Sequence, residues 1–567
     1  MWLVQHFGRV RFATSGRAHL VAVEPAPHLL APGAQVPAPA PLIALLGAAP
    51  PDAWAWHAPD GSRTFGEAFD RSRKLASALH RHIAARSAGP GSQEAPAALP
   101  VVAILGENSG RYIECLYGIP AAGCQALLLN YRHHPAEWIA MLARTECDVV
   151  IGDERLLRDL RSAIPTNSHS LTLVAFDPTT ETVGDPYIDY EAFIANAPLG
   201  APAPLVDAPP MSNAWLVPTS GTTGTPKLAM LSHRSLQVAA FGCHSARPVL
   251  VDDIYFFPFP LCHVAAYNVI VYHQCARPIV LVTRFDPTEA VQIIEQYGVT
   301  AASFAPTMIS SIIDHPNLLD DRALASLRTV GYGSSAIAEP LLRRAMVALG
   351  CGFSQGYGMT ELSGNAVFLD AQDHRAGVDG QPRRLQQAGK PTDLIELRIV
   401  DDSGHEVSRG VVGEISCRGE QVMSGYYNDP EATNSAIVDG WLRTGDLGTL
   451  DADGYLTVVD RKKDIIISGG ENVASREVEA VLFQHPAVRE AAVIGIPDER
   501  WGEVVAAVVV LHNATSATDT ELIALCRGHL AGFKQPRRIL FLDELPKNTT
   551  GKIEKHRLRA IFDEIAT

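Results

Sequence analysis

Short, fully apolar bursts alternate with helix-length segments along most of the chain after residue 41. In 64–82 the apolar residues recur along one side of a predicted helix. The segment 111–122 is also predicted to be a helix. The bursts that predict strands cover 101–105, 126–129, 279–282 and 300–304. Because strands buried on both faces are apolar throughout, this pattern predicts an α/β fold whose large N-terminal domain has layered, mostly parallel sheets with helices.

Near Leu397 the pattern changes to short strands separated by Gly turns and Asp-Gly pairs, as in DDSGHEV and DADGYLTVVD. This change predicts hairpins in a small β-rich subdomain. After Asp464 a compact α+β stretch follows, with helices predicted over 475–483 and 520–530. The sequence therefore predicts three parts after the N-terminal segment, which are a large domain over 42–460, a hinge over 461–463 and a small mobile C-terminal domain over 464–567.

The first 41 residues differ from the rest of the chain. Residues 1–23 carry Arg9, Arg11 and Arg17 but no acidic residue, and residues 24–41 are rich in Pro and Ala. We interpret 1–41 as a disordered extension without a catalytic role. A start that contains Arg and lacks acids is also typical of a transit peptide, which would place the protein in mitochondria.

Composition narrows the classes of function. A net charge of -15 argues against a general nucleic-acid role, because such binding depends on clustered Lys and Arg. The nine cysteines form no CxxC pair, so the sequence indicates neither a zinc site nor a disulfide framework. Scattered cysteines favour a reducing compartment, here the cytoplasm. No apolar run reaches the roughly 18 residues that a membrane helix needs, and a homodimer is left open.

Candidate chemistry begins in the segment WLVPTSGTTGTPKLAMLSH, which covers 215–233. Glycines let backbone N–H groups turn toward one point, hydroxyls add donors, and a lysine adds a cation, which together suit a polyphosphate. The segment lacks the GxxxxGK[ST] spacing of a Walker A motif. An ordinary Ser/Thr/Gly surface loop is the alternative. The candidate residues are Thr219, Ser220, Gly221, Thr222, Thr223, Gly224 and Lys227.

A second motif, GYGMTE, covers 356–361. A tyrosine between two glycines can lie flat against a base, and Glu361 is a suitable oxygen ligand for Mg²⁺. Ahead of it, GYGSS over 331–335 is another loop with an accessible backbone. A purely structural turn is the alternative for both segments.

A third cluster contains Asp446, which lies in a tight Gly-flanked turn and can accept both hydroxyls of a ribose. Arg461, in the run DRKKD, is a second candidate for the sugar or phosphate, and Lys552 lies in the polar, Gly-bent loop PKNTTGKI. A solvated charge run and a surface lysine are the alternatives.

In combination these segments resemble the adenylate-forming (AMP-binding) superfamily, which includes acyl-CoA synthetases, nonribosomal adenylation domains and firefly-type luciferases. The resemblance covers the chain from about Pro41 to its end, and the fatty-acid and medium-chain branch of the acyl-CoA synthetases is most similar. It rests on the order and spacing of TSGTTGTPK (219–227), GYGMTE (356–361), GEISCRGEQVMSGYYNDPEAT (413–433), WLRTGDLG (441–448), DRKKDIIISGGENV (460–473) and PKNTTGKI (546–553).

The resemblance implies a two-step reaction that uses ATP, Mg²⁺ and coenzyme A. A carboxylic acid, predicted to be fatty, becomes acyl-AMP with release of pyrophosphate, and the coenzyme A thiol then displaces AMP. The implied roles are phosphate binding by 219–227, adenine stacking by Tyr357, α-phosphate contact by Thr360, Mg²⁺ binding by Glu361, ribose binding by Asp446 and Arg461, further nucleotide binding by Ser335, and carboxylate contact by Lys552.

In this family the small domain rotates between the two steps, and the resemblance places the pivot at Lys463. Gly469 and Gly470 would line the pantetheine tunnel, and His263 and Gly333 would lie at the acid. The chain departs from the usual pattern at Leu228, Cys262 and 474–475 without losing a polar catalytic group. Two alternatives stay open, an acyl-AMP ligase that loads a carrier protein and a non-catalytic nucleotide-binding relative.

Overall fold

The computed structural model describes residues 36–87, 99–164, 171–178, 187–195, 209, 211–219, 226–314, 324–333, 335, 337–547 and 553–566. Two large mixed sheets with helices form the first part, a small β-rich subdomain follows, and a separate sheet with its own helices ends the chain.

The strands of the first part are β1 (Trp54–Ala58), β2 (Gly61–Thr64), β3 (Val101–Leu105), β4 (Gln125–Leu128), β5 (Val149–Asp153), β6 (Thr172–Phe176), β7 (Tyr187–Asp189), β8 (Asn213–Thr219), β9 (Lys227–Ser232), β10 (Tyr255–Phe257), β11 (Ile279–Leu281), β12 (Ala301–Phe304), β13 (Thr329–Tyr332), β14 (Gly352–Met359), β15 (Gly364–Leu369) and β16 (Lys390–Pro391). Its helices are α1 (Ala44–Ala48), α2 (Phe65–Ser87), α3 (Gly110–Ala121), α4 (Pro135–Arg144), α5 (Glu154–Ala163), α6 (Tyr190–Ala195), α7 (His233–Ala246), α8 (Tyr267–His273), α9 (Pro287–Tyr297), α10 (Pro306–Ile313), α11 (Glu339–Leu349) and α12 (Ala371–Val378).

The second part consists of β17 (Glu396–Val400), β18 (Gly413–Arg418), β19 (Gly425–Tyr426), α13 (Pro430–Ala436), β20 (Ile437–Val438), β21 (Trp441–Leu450) and β22 (Leu456–Arg461). The third part consists of β23 (Ile466–Ser468), β24 (Glu471–Val473), α14 (Ser475–Leu482), β25 (Val488–Asp498), β26 (Gly502–Leu511), α15 (Asp519–His529), β27 (Arg538–Phe541) and α16 (Lys555–Ala566).

The two large sheets are parallel in their interiors and antiparallel at three of their four ends, while the β6-β7 end is parallel. One sheet has the order β19-β9-β8-β4-β3-β5-β6-β7, and the other has the order β16-β15-β14-β13-β12-β10-β11-β1-β2. The apolar bursts become central strands such as β3, all of whose residues are buried. This architecture confirms the predicted α/β class and its mostly parallel sheets.

The second part contains the antiparallel strands and glycine turns that the sequence predicts, and the third part combines helices with a sheet. In the β-rich subdomain every pairing of β17, β18, β20, β21 and β22 is antiparallel. The turns predicted at Asp-Gly and Ser-Gly use Gly404 and Gly454 with positive φ, which glycine adopts without steric cost. The predicted hinge region coincides with the passage from β22 through a 3-10 turn, Lys462–Asp464, into the sheet of the small domain.

The last residues of the predicted N-terminal extension contact the large domain. Residues 1–35 lie outside the described residues, but 36–41 contact the large domain. The Pro37 carbonyl accepts a hydrogen bond from the Arg234 guanidinium at 2.7 Å, and Gln237 donates to the Ala40 carbonyl at 2.8 Å. Side chains of α7 thus supply hydrogen-bond partners to the backbone at Pro37 and Ala40. Among the described helices, none is long and apolar enough to cross a membrane.

Candidate active site

The candidate phosphate loop joins two paired antiparallel strands. Thr219, at the end of β8, is the register partner of Lys227, at the start of β9, and its hydroxyl donates to the Lys227 carbonyl at 3.4 Å. The Lys227 ammonium lies 4.9 Å from the centre of the Tyr426 ring. The remaining predicted phosphate residues lie outside the described residues, namely Ser220, Gly221, Thr222, Thr223 and Gly224.

Tyr426 connects this lysine to the candidate metal ligand. Its hydroxyl donates to Glu361 Oε1 at 2.8 Å, so Lys227, Tyr426 and Glu361 form one continuous polar chain. Glu361 is 7% exposed, and burial raises the pKa of its carboxyl above the usual range despite the Tyr426 hydrogen bond. The Tyr426 hydroxyl is neutral and does not balance the negative charge of an ionised Glu361. A hard cation bound to the carboxylate would balance that charge.

Glycines bring Glu361 and Thr360 into position. Both lie in a short 3-10 turn, Thr360–Leu362, which begins directly after β14. A Cβ at Gly358 would lie 2.1 Å from the Gly364 carbonyl oxygen, so only glycine permits this close approach of β14 and β15. Thr360 and Glu361 therefore project from a turn that the GYG sequence makes possible.

A second polar chain begins at Tyr357, three residues before this turn. The Tyr357 hydroxyl donates to Asp446 Oδ2 at 2.8 Å, and Arg461 Nε lies 3.3 Å from Asp446 Oδ1. Asp446 and Arg461 are register partners in β21 and β22, and Asp446 is buried. Burial and the Asp446 charge raise the pKa of Tyr357 well above its usual range, so its hydroxyl remains a donor. The structure thus brings together three residues predicted to bind the nucleoside.

Segments predicted to meet the acid lie where α8 approaches the sheet. A Cβ at Gly364 would be 2.8 Å from the Tyr267 ring, and one at Gly333 would be 2.6 Å from the Gly356 carbonyl oxygen. Burial, together with His133 and Arg132 nearby, lowers the pKa of His263 to about 4, so this histidine is neutral at physiological pH. Its Nε2 is buried without a hydrogen-bond partner among the described residues. Ser335, by contrast, is exposed.

The residues predicted to serve rotation and coenzyme A binding belong to the small-domain side. Lys463 lies in the 3-10 turn between the second and third parts. Gly469 and Gly470 have φ of +62° and +85°, and the Gly469 N–H donates to the Trp501 carbonyl at 2.8 Å. The described contacts of this turn lie within the small domain, so they do not join the two polar chains. Lys552 lies outside the described residues.

Sequence reasoning missed Tyr426, although the motif GEISCRGEQVMSGYYNDPEAT contains it. Its role depends on strand β19 pairing with β9, where Tyr426 is the partner of Ala229. That pairing places the ring beside a lysine 199 positions earlier in the chain. The sequence offered one indication of this role, namely that Tyr426 lies in a family motif and had been given no function.

Comparison with known proteins agrees with this geometry. The sequence model described as AMP-binding enzyme matches residues 46–427, and the AMP-binding enzyme C-terminal domain matches residues 477–552. An indoleacetate–CoA ligase of Aromatoleum aromaticum is 35% identical over 463 residues, which cover 81% of this chain and 88% of that protein. A fatty acid–acyl-carrier-protein ligase of Streptomyces coeruleorubidus is 32% identical over 469 residues, with 81% and 86% covered.

The fold also matches solved structures. One is the o-succinylbenzoate coenzyme A synthetase MenE of Bacillus subtilis in complex with ATP and a magnesium ion. It has a TM-score of 0.75 and 29% identity, and the match covers 91% of this chain and 99% of that chain. From the family match over most of its length, the chain belongs to the AMP-binding enzyme family and is an acid–thiol ligase of the adenylate-forming, acyl-CoA synthetase kind.

Proposed function

We propose that the protein activates a carboxylic acid with ATP, forming acyl-AMP and pyrophosphate, and then transfers the acyl group to coenzyme A. The observation that carries this proposal is the convergence of two polar chains on the turn after β14. One chain joins Lys227, Tyr426 and Glu361, and the other joins Tyr357 and Asp446 to Arg461. The first suits the phosphates of a nucleotide and the second suits its nucleoside.

In the first step a carboxylate oxygen of the acid attacks the α-phosphorus of ATP, and pyrophosphate leaves. The backbone and hydroxyls of 219–227, with the Lys227 ammonium, would stabilise the charge that builds on the leaving phosphates. Thr360 would contact the α-phosphate. Lys552 would offset the repulsion between the two anions by placing a cation between them.

Glu361 is the proposed ligand of Mg²⁺. Its carboxylate is buried, accepts from the neutral Tyr426 hydroxyl and has a raised pKa, so the donor set fits a hard cation that would compensate its charge. When bound, Mg²⁺ neutralises charge across the phosphate oxygens.

The nucleoside would be held by the second polar chain. Asp446 would accept the ribose hydroxyls, Tyr357 would stack on adenine, and Arg461 would contact the sugar or phosphate. Asp446 already accepts from Tyr357 and pairs with Arg461, so its carboxylate is fixed before the nucleotide arrives. Ser335, exposed after β13, would add a polar contact.

In the second step the thiol of coenzyme A would displace AMP after the small domain rotates about Lys463. Gly469 and Gly470 lie in a turn with left-handed backbone, where a side chain would be strained. A Cβ at Gly469 would lie 2.6 Å from the Trp501 ring, whereas one at Gly470 would meet nothing within 4 Å, so the open side at Gly470 supports the proposed place of this turn beside the pantetheine arm.

The acid would enter between α8 and the sheet, beside His263 and Gly333. A neutral, half-buried His263 suits an uncharged acyl chain better than an anionic one. The sequence predicts a fatty acid. The relatives named above act on acids as different as indoleacetate and fatty acids, so chain length and ring content need direct measurement.

A carrier protein is the alternative acceptor, and one relative carries that acceptor in its name. A purely nucleotide-binding role is less consistent with the chain, because both Glu361 and Lys552 are retained. The cytoplasmic location and the homodimer stay predictions. All nine cysteines are free, which agrees with a reducing compartment.

The test is pyrophosphate release by the full chain from ATP and Mg²⁺ with a panel of aliphatic and aromatic acids. Each acid is assayed alone, with coenzyme A, and with a phosphopantetheinylated carrier protein. We expect acid-dependent release and thioester formation on coenzyme A. Release that yields thioester only on the carrier would favour the alternative, and ATP binding without any acid-dependent release would favour the non-catalytic one.

A further inference from the structure

A partly buried arginine lies between helices α7 and α8 and the large sheet. Arg247 directly follows α7, and its Nη1 donates to Ser303 Oγ at 2.9 Å. Its Nη2 donates to Asn268 Oδ1 at 3.2 Å. Its Nε is buried without a partner among the described residues, and within that part of the chain no carboxylate lies within 4.0 Å of the guanidinium.

The sheet makes room for this guanidinium with a glycine. A Cβ at Gly331 would lie 1.9 Å from Arg247 Nη1. Gly331 is flanked in register by Ser303 on β12 and Ser354 on β14, so these three residues form a row across one sheet face. The Ser354 hydroxyl is also buried without a partner in the described part of the chain. Arg247 Nε and the Ser354 hydroxyl are therefore two donors beside Gly331 that have no partner among the described residues.

The row formed by Ser303, Gly331 and Ser354 lies next to segments that the proposed function assigns to the acid. Gly331 lies in β13, and Gly333 is the first residue after that strand ends. Asn268, which orients the guanidinium, follows Tyr267, whose ring packs on Gly364 just after the Glu361 turn. Through Asn268 and Gly331, Arg247 therefore contacts the α8 and β13 segments that lie next to the proposed acid site.

The remaining contacts of the Arg247 guanidinium are with neutral groups, since Nη2 lies 3.8 Å from Cys243 Sγ and Cζ lies 6.0 Å from the centre of the Tyr255 ring. A guanidinium remains protonated in proteins, and burial of a charge beside neutral partners is unfavourable unless a further acceptor reaches it. Placement at the end of α7 compensates only part of that charge through the helix dipole. An oxygen acceptor on a ligand would satisfy both Arg247 Nε and the Ser354 hydroxyl.

We propose that Arg247, oriented by Ser303 and Asn268, forms a subsite for an oxygen acceptor at the tail of the acid. The subsite selects acids that carry a hydroxyl, keto or second carboxyl group remote from the carboxylate that is activated. This inference rests on the proposed function, since it assigns the tail of the same substrate. It replaces the expectation of an unsubstituted fatty acid with that of an oxygen-bearing one.

The test compares matched acids that differ only in the tail oxygen. The probes are nonanedioate against nonanoate, 4-hydroxycinnamate against cinnamate, and 4-oxononanoate against nonanoate. In the wild type we expect kcat/KM for pyrophosphate release to favour the oxygen-bearing member of at least one pair. In Arg247→Met that preference should fall by roughly 10- to 100-fold, the range for hydrogen bonds to charged groups. Activity on the unsubstituted partner should change by less than about 3-fold, because that acid makes no hydrogen bond with the site.

Two further variants keep the test decisive. Ser354→Ala removes only the unpaired hydroxyl and should reduce the same preference more weakly while leaving the fold intact. Arg343→Met is the matched control, because Arg343 pairs with Glu339 within α11 at 2.8 Å, away from the row. An equal loss on both members of every pair, or an unchanged preference in both Arg247→Met and Ser354→Ala, would overturn the subsite.

Failure of the proposed function gives a different result. It would appear as no acid-dependent pyrophosphate release by the wild type with any probe. Calorimetric binding of the same paired acids to wild type and Arg247→Met then decides the subsite without turnover. Tighter binding of the oxygen-bearing member that is lost in Arg247→Met supports the subsite, and equal binding in both proteins overturns it.

Discussion

The Tyr426 hydroxyl donates to the Glu361 carboxylate at 2.8 Å while its ring lies under the Lys227 ammonium. One side chain thus contacts both the lysine that follows the phosphate loop and the proposed Mg²⁺ ligand. The ring attracts the cation electrostatically, and the hydroxyl favours the ionised carboxylate. Tyr426 therefore couples two groups that must act on the same phosphates.

Tyr426→Phe should separate these two contacts. The ring under Lys227 remains, but Glu361 loses its hydrogen bond and binds a proton more readily. We expect the Mg²⁺ concentration for half-maximal pyrophosphate release to rise by roughly 10-fold, as for a lost hydrogen bond to a charged group. A Mg²⁺ titration measures this. Tyr427→Phe is the control, and equal Mg²⁺ requirements in the two variants would remove Tyr426 from the metal site.

Glu361→Gln should raise the Mg²⁺ requirement and slow ATP use, because a carboxamide keeps the size of the side chain but loses the charge that attracts a hard cation. The measurement is acid-dependent pyrophosphate release over a range of Mg²⁺ concentrations. Normal rates with unchanged Mg²⁺ dependence would reject Glu361 as the ligand.

The same variant tests the electrostatics of burial through stability. Because the pKa of Glu361 is raised in the folded protein, its contribution to stability is complete at low pH and is lost as the pH rises through the folded pKa. In metal-free buffer Glu361→Gln should therefore melt above the wild type at neutral pH, with the difference shrinking toward acid. A melting difference that is independent of pH would contradict the raised pKa.

Much of this site follows from local sequence, and part of it does not. Apolar bursts predicted β3 and its neighbours, whereas the close approach at Gly358 was seen only in the structure. The contacts of Tyr426 and Arg247 depend on sheet order and on helix placement over long sequence separations, which periodicity does not encode. The contact of Pro37 has the same origin, since its partner lies on α7.

A contact across the hinge predicts an effect on rotation. The Asp460 carboxylate, 2% exposed at the end of β22, accepts from the Ser475 N–H at 2.6 Å and from its hydroxyl at 2.7 Å. Ser475 begins α14 of the small domain. Ser475→Pro removes both donors at a helix position that tolerates proline. It should lower stability by about 1–3 kcal/mol, as for a buried acceptor left unpaired.

This substitution should also change the ratio of the two half-reactions, because it releases one arrangement of the domains. Adenylation and thioester formation from supplied acyl-AMP are measured separately. Ser408→Ala, an exposed serine of the β-rich subdomain, is the control. A lower melting temperature with an unchanged ratio would show that the Asp460–Ser475 contact stabilises the fold without biasing the rotation.

Lys552→Ala should change the ratio of the two half-reaction rates more strongly than Ser475→Pro does. Its proposed place near the α-phosphate belongs to the first conformation only, so adenylation should fall while thioester formation from supplied acyl-AMP is largely spared. The proposed role requires this asymmetry. Equal losses in a folded variant would show that Lys552 acts in both steps or in neither.

The most direct test of the whole account is a product balance for ATP turnover by the wild-type chain with an accepted acid and coenzyme A. We predict one AMP and one pyrophosphate for each acyl-CoA formed, with no ATP consumed when the acid is omitted. Acid-dependent formation of ADP and phosphate, or ATP consumption that does not depend on the acid, would contradict an adenylate-forming acyl-CoA synthetase.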